Sequence, residues 1–156
     1  MVDISDIITP DSIILDLKGC GSKRQVLQEL SQHAAALVGS DPQRLLDALM
    51  ERERLGTTGV GHGIAIPHAR LGDLDRLVGI FARLDQAVDF EALDDQPSDL
   101  IFLLLAPSAA DADSLRALAR ISRLLRDAAL RQRLRQERDR HAVYRMLTQK
   151  SECHAA

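Results

Sequence analysis

Tryptophan is absent from this 156-residue sequence, and one Tyr and three Phe are its only aromatic residues. So sparse a set argues against a base-stacking platform for nucleic acid. Two cysteines, Cys20 and Cys153, allow at most one bridge. That is too few for a disulfide scaffold, and free thiols in a reducing compartment are expected. The opening residues Met1-Val2-Asp3-Ile4-Ser5-Asp6 carry acids where a secretory leader needs basic residues ahead of an apolar run. Long apolar runs are missing too. The longest, Leu100 to Ala106, falls far short of the roughly 20 residues that cross a bilayer. A large net charge is also lacking: the formal value is −3, which weighs against a surface built to grip nucleic acid. These absences predict a cytoplasmic protein with no membrane insertion and no nucleic-acid partner.

What is present is a normal supply of core-forming residues, 46% apolar against 28% charged, enough for a packed interior. No repeat or low-complexity linker interrupts the chain, so a single domain is expected over residues 1–156, with a core over about 5–148 and a short tail. The charge is segregated. Between Arg116 and Lys150 there are 11 Lys+Arg against 3 Asp+Glu, and the rest of the chain carries 9 against 20. That basic third reads either as a docking surface for an acidic partner or as a set of solvated helix faces.

The hydrophobic pattern sets out the elements. Ser12–Leu17 is a short strand ended by Lys18-Gly19-Cys20-Gly21. Ser22-Lys23-Arg24-Gln25 has capping-box spacing, and Val26, Leu30, Ala34 and Leu37 recur at helical intervals up to Gly39. Asp41-Pro42 opens a second helix with the stripe Leu45, Leu46, Leu49 and Met50, closed by Gly56. Val78, Ile80, Ala82 and Leu84 alternate as a half-buried strand, whereas the segment Asp99–Leu105 is continuously apolar after its first residue, as in a strand covered on both faces. Leu115, Leu118, Ile121, Leu124 and Leu125 mark an amphipathic helix, followed by shorter helices near Leu130–Leu134 and Val143–Leu147. The order predicts an α/β fold, a mixed β-sheet sandwiched between helices.

The most constrained segment is Gly56-Thr57-Thr58-Gly59-Val60-Gly61-His62-Gly63-Ile64-Ala65-Ile66-Pro67-His68, which holds four glycines in its first eight residues. Glycines let a loop fold tightly and approach a bound group closely. Pro67 forces Ile66 into an extended conformation, so His68 leaves the end of a strand at a set angle. Neutral imidazole is a nucleophile and can form covalent intermediates. Holding a phosphoryl group asks mainly for positioning and charge stabilisation, which loop N–H groups and an Arg can supply. On spacing alone, a hydrogen-bonded structural His68 remains an open alternative. Other chemistries find no support. A dinucleotide fingerprint from Gly59 would need a small residue where Ile64 stands, and would follow a strand instead of preceding one. Gly19-Cys20-Gly21-Ser22-Lys23 has Ser and Lys in the wrong order for a phosphate loop. His62 and His68 lack a third zinc ligand at a recognised spacing, and there is no Gly-x-Ser-x-Gly elbow. No cofactor and no metal is expected.

The Gly56–His68 string resembles the active-site signature of phosphotransferase-system enzyme IIA proteins of the fructose/mannitol type, and among them most closely the nitrogen-regulatory branch, enzyme IIA-Ntr. Leu93–Leu100 with Phe102–Pro107 is similar to a second family block, and Ile121–Asp127 to a third, so the likeness spans nearly the whole chain. The resemblance implies a sheet between helices and a phosphoryl carrier. His68 is then the acceptor from a phosphocarrier (NPr, a relative of HPr), in a chain starting from phosphoenolpyruvate. It also implies regulatory targets such as potassium transporters or sensor kinases, bound according to phosphorylation state. Arg52 matches a family Arg near the phosphorylated His; it equally suits the helix dipole as a last-turn residue. Thr58 matches a family Ser/Thr able to donate its hydroxyl, and it also suits a turn satisfying its own loop.

There are departures. Many members carry a second active-site His after the Pro matching Pro107, and the aligned position here is Ser114. Serine donates one hydrogen bond but carries no positive charge. That leaves two alternatives beside the carrier reading: a regulatory binding module independent of phosphorylation, or a sugar-specific IIA component. Ala69-Arg70 stands where the branch often has Gly-Lys and keeps the positive charge. His33, near the first helix's apolar stripe, and His141, near a helix start, read as structural, and His154 lies in the tail.

Overall fold

The computed structural model describes residues 3–109 and 111–149, so Cys153 and His154 lie outside the described residues. Two 3-10 turns, Ile4–Asp6 and Pro10–Ser12, lead into β1 (Ile13–Leu17), α1 (Lys23–Val38) and α2 (Pro42–Leu55). Then come β2 (Gly59–Gly61), β3 (Ile64–Ala65), β4 (His68–Leu71), β5 (Val78–Val88) and β6 (Ser98–Pro107). Helices α3 (Asp111–Leu125), α4 (Ala128–Gln136) and α5 (Arg140–Thr148) follow.

The sheet runs β1-β5-β6-β3-β2, with β4 also paired to β6. It is mixed: β6 is antiparallel to β5 and parallel to β3 and β4, and β1 is parallel to β5. Every side chain of β6 from Leu100 to Leu105 is fully buried, because both faces are covered. Leu100, Phe102 and Leu104 pack into a core with α3, α4, α5 and the N-terminal 3-10 turns. Ile101, Leu103 and Leu105 pack into a second core with α1 and α2. The two-residue period of the strand thus divides one apolar run between two layers. The architecture is the expected mixed sheet between helices.

Several local expectations change. β5 is buried on both faces over residues 78–84, not half-buried. Phe81 meets Phe102 edge-on with centroids 6.4 Å apart. A Cβ on Gly79 would come within 2.9 Å of the Phe102 ring, so only glycine allows this approach. Arg83 is buried because its guanidinium donates to Leu134 O at 2.8 Å and to Glu137 O, satisfying carbonyls at the end of α4. In α1, Leu37 is exposed, and Leu27, Ser31 and Ala35 join Val26, Leu30 and Ala34 on the buried stripe. The capping box is half formed. Ser22 Oγ accepts the Gln25 N–H at 3.2 Å, but the Gln25 side chain accepts from Gly21 N at 2.7 Å, one residue early.

β3 and β4 keep one continuous register along β6, with Ala65 opposite Ile101 and His68 opposite Leu104. Ile66 and Pro67 lie between them, and Leu104 N donates to Pro67 O at 2.9 Å. His68 therefore opens a strand rather than ending one. It continues the row Ile64–Ile66 that faces the α3–α5 core. Since β2 pairs only with β3, the outer edge of β4 carries no strand among the described residues. Both helical layers reach it there.

Candidate functional site

Helix α2 brings the first functional side chain. Asp41 accepts the Gln43 N–H at 3.1 Å and Pro42 fills the first turn, where its missing N–H leaves no gap. Leu45, Leu46, Leu49 and Glu53 form the buried stripe. Arg52 precedes Glu53 and so points about 100° away from it, out toward the edge of β4. Its Nε donates to His68 Nε2 at 3.2 Å and its Nη1 to Gly56 O at 2.9 Å.

An arginine can only donate, so His68 Nε2 holds the lone pair and Nδ1 holds the proton. The Nδ1–H donates to Ile66 O at 2.8 Å. Burial, chiefly, and the Arg52 cation lower the His68 pKa from its ordinary 6.5, against the opposing pull of the Ile66 carbonyl. Near pH 7 the ring is neutral, with its nucleophilic nitrogen turned toward a guanidinium.

His68 lines an open cavity of about 610 Å³ between α2, β4 and α3, with Arg52, Arg70 and Ser114 among the other lining residues. Three of the four singled-out residues, His68, Arg52 and Ser114, therefore share one cavity. Ser114 is 8% exposed. Leu55 and Leu115 stand on the rim, 78% and 68% exposed. Of the apolar stripe expected on α3, Ile121 and Leu125 are buried, together with Ser114 and Ala117, and Leu115 falls outside the buried face.

Thr58 does not reach the cavity. It is 4% exposed, and its hydroxyl is bonded to the Glu53 carboxylate. The loop amides are engaged elsewhere as well. Thr58 N donates to Glu53 at 3.0 Å, Gly59 N to Thr57 Oγ1 at 3.0 Å and His62 N to Asp94 Oδ2 at 2.9 Å. The glycine-rich segment is a β2–β3 hairpin, and these three N–H groups are spent within it, on α2 and on the β5–β6 connection, so they cannot cradle a phosphate at His68. His62 sits exposed at its tip with φ 58°, and the side chains of His33 and His141 are exposed rather than packed. Among the described residues, no group of three or more His, Cys, Asp or Glu is placed to hold a metal ion.

Glu53 was not anticipated, although a signal existed: it follows Leu45 and Leu49 at four-residue intervals, a charge on an apolar stripe. Its carboxylate also takes Lys23 Nζ at 3.0 Å. Burial pulls the Lys23 pKa down, but its bonds to Glu53 and Glu91 outweigh this and raise it overall.

The phosphoenolpyruvate-dependent sugar phosphotransferase system EIIA 2 family model matches residues 6–150. A nitrogen regulatory protein of Bradyrhizobium diazoefficiens is 51% identical over 144 residues, covering 92% of this chain and 94% of the relative. The crystal structure of nitrogen regulatory protein IIA-Ntr from Neisseria meningitidis superposes with TM-score 0.89 at 31% identity, covering 93% of this chain and 99% of that one. IIA mannitol from Escherichia coli shares the fold, with TM-score 0.76 at 20% identity over 90% of this chain and 98% of that one. With 145 residues from Asp6 to Lys150 matched by the family model, the chain belongs to the phosphotransferase-system EIIA 2 family, in its nitrogen-regulatory branch.

Proposed function

We propose that this chain is a phosphoryl carrier and regulator of a nitrogen-related phosphotransferase system, accepting a phosphoryl group on His68 from a phosphohistidine of an NPr- or HPr-like carrier. The observation that carries the reading is the 3.2 Å contact of Arg52 Nε with His68 Nε2 inside the cavity. It selects the tautomer whose lone pair faces the place where a donor would dock.

The reaction is an in-line displacement. The Nε2 lone pair attacks phosphorus as the donor's P–N bond breaks, and the bonding electrons return to the donor imidazole. The His68 ring gains positive charge as it gives up that pair, and the Ile66 carbonyl on Nδ1–H stabilises it. Nε2 has one lone pair, so the Arg52 bond and the new P–N bond are mutually exclusive. The guanidinium must leave the ring as phosphorus arrives, and the nearest new acceptors are the phosphoryl oxygens, which suit a planar fork. The Ser114 hydroxyl lines the same cavity and can donate one hydrogen bond to them. By analogy with phosphorylated hydroxyls, the product adds about −1.5 to −2 charge. It would do so between two exposed leucines, which alters the surface that a regulatory target meets.

The test is a reconstituted mixture of phosphoenolpyruvate, enzyme I and phosphocarrier with radiolabelled phosphate. The wild type takes up label and His68→Ala takes up none. Label retained by His68→Ala would falsify the assignment. Equal target binding by both chains, with and without the cascade, would instead favour a binding module insensitive to phosphate.

A further inference from the structure

The two nitrogens of His68 are held from two successive residues of one helix. Arg52 acts directly on Nε2. The other hold runs through Glu53, a buried residue whose carboxylate is bonded to both the backbone N–H and the hydroxyl of Thr58. Thr58 O accepts the Ile66 N–H at 2.9 Å. Ile66 O in turn accepts His68 Nδ1–H at 2.8 Å. Pro67 between them has no N–H to donate, and its carbonyl is tied to β6 by the Leu104 N–H at 2.9 Å. Lys23 Nζ, 3.0 Å from Glu53 and 3.3 Å from Glu91, supplies the cation that lets a carboxylate sit in this buried place.

We infer that Glu53 is a positioning residue for His68: through Thr58 and Ile66 it sets the carbonyl that, jointly with Arg52, selects the Nδ1–H tautomer, while Lys23 keeps its charge compensated. Glu53 touches neither phosphorus nor the ring, and it lies outside the lining of the cavity. Its effect is on aim. Misplacing a reacting atom by about 1 Å can cost about 100-fold in rate. The kinetic half of this inference rests on the function proposed above; the tautomer half does not.

The experiment follows the His68 ring by nitrogen-15 NMR and, on the same samples, the rate of phosphoryl acceptance. The wild type should show one tautomer, protonated at Nδ1. Glu53→Gln keeps the volume and one acceptor oxygen, but it replaces charged with neutral hydrogen bonds. It should show a mixture of tautomers and accept phosphate about tenfold more slowly. Glu53→Ala removes the anchor altogether and should mix the tautomers further, with a loss of about 100-fold. A purely structural Glu53 would lower stability and leave the ring spectrum alone. An unchanged Nδ1–H tautomer in Glu53→Gln would overturn the proposal, whether or not Glu53→Ala folds. A wild type that takes no phosphate sinks the functional reading, and the spectrum still judges Glu53.

Discussion

His68 carries opposite demands on its two nitrogens, and its surroundings meet both. Burial and the Arg52 cation oppose the charged ring, so the lone pair on Nε2 survives below the ordinary pKa of 6.5. The Ile66 carbonyl favours protonation at Nδ1 and holds the ring in place. If His68 is the acceptor as proposed, acid should switch off acceptance through a midpoint below 6.5. The linkage has the same sign. As pH falls from 6.5 toward the lower folded value, the unfolded chain takes up the proton first, and stability is lost across that window. Arg52→Ala removes both the guanidinium for phosphoryl oxygens and a cation that lowers the ring's pKa. Acceptance should fall about 100-fold, and the midpoint of the pH–rate profile should move up. An NMR titration of His68 checks the second effect: an unmoved midpoint would mean that the ring does not feel Arg52. Position 52 also suits the last-turn dipole role; its Nε on the ring supports the phosphate role proposed above.

At the scale of elements, the β2–β3 hairpin is the part most tightly specified. Its tip is His62-Gly63, both with positive φ. Asp94 takes the His62 N–H on one side, and this bond, with a second from Gln96 N–H, holds the Asp94 carboxyl below its usual pKa. Arg135 donates to His62 O at 2.9 Å and to Asp99 at 3.0 Å on the other. A Cβ on Gly63 would run into the Arg135 guanidinium and come within 2.9 Å of Asp99 Oδ1. Gly63→Ala should therefore cost at least about 1–2 kcal/mol from the left-handed backbone alone, more with the displaced ion pair, read as a lower midpoint in urea unfolding. Part of the basic C-terminal third is explained here. Arg135 pins the hairpin and Arg131 donates to Leu125 O and Arg126 O at the end of α3, so these charges staple the protein's own elements. Helix starts at Ser22 and Asp41 were readable because capping chemistry is local. The burial of Leu37 and Leu115 was misjudged because periodicity defines a stripe without saying which neighbour covers its margins.

Across the whole molecule, Leu55 and Leu115 come from helices on opposite faces of the sheet and meet at the rim of one cavity. Under the proposed function, a protein donor closes over that rim to bring its phosphohistidine to Nε2. Leu115→Asp should raise KM for the phosphocarrier severalfold and leave the His68 titration unchanged; a changed titration with unchanged KM would show that the rim does not dock the donor. The sheet between helices, the glycine hairpin, the proline and the histidine were legible in the residues, since strand alternation, helix caps and glycine's conformational freedom act over a few neighbours. Arg52 and Ser114 were reached through the family likeness, and Thr58, open in the sequence between a phosphate donor and a turn residue, spends its hydroxyl on Glu53. What the chain order alone determined is the candidate histidine, at the end of a glycine-rich segment, and the layers that carry it. Which nitrogen is free, where Thr58 spends its hydroxyl and why a glutamate belongs in the core were decided only on folding. Those depend on contacts between α1, α2, the hairpin and β4, and a side chain's hydrogen-bond partners are set by distance in space, not by separation along the chain.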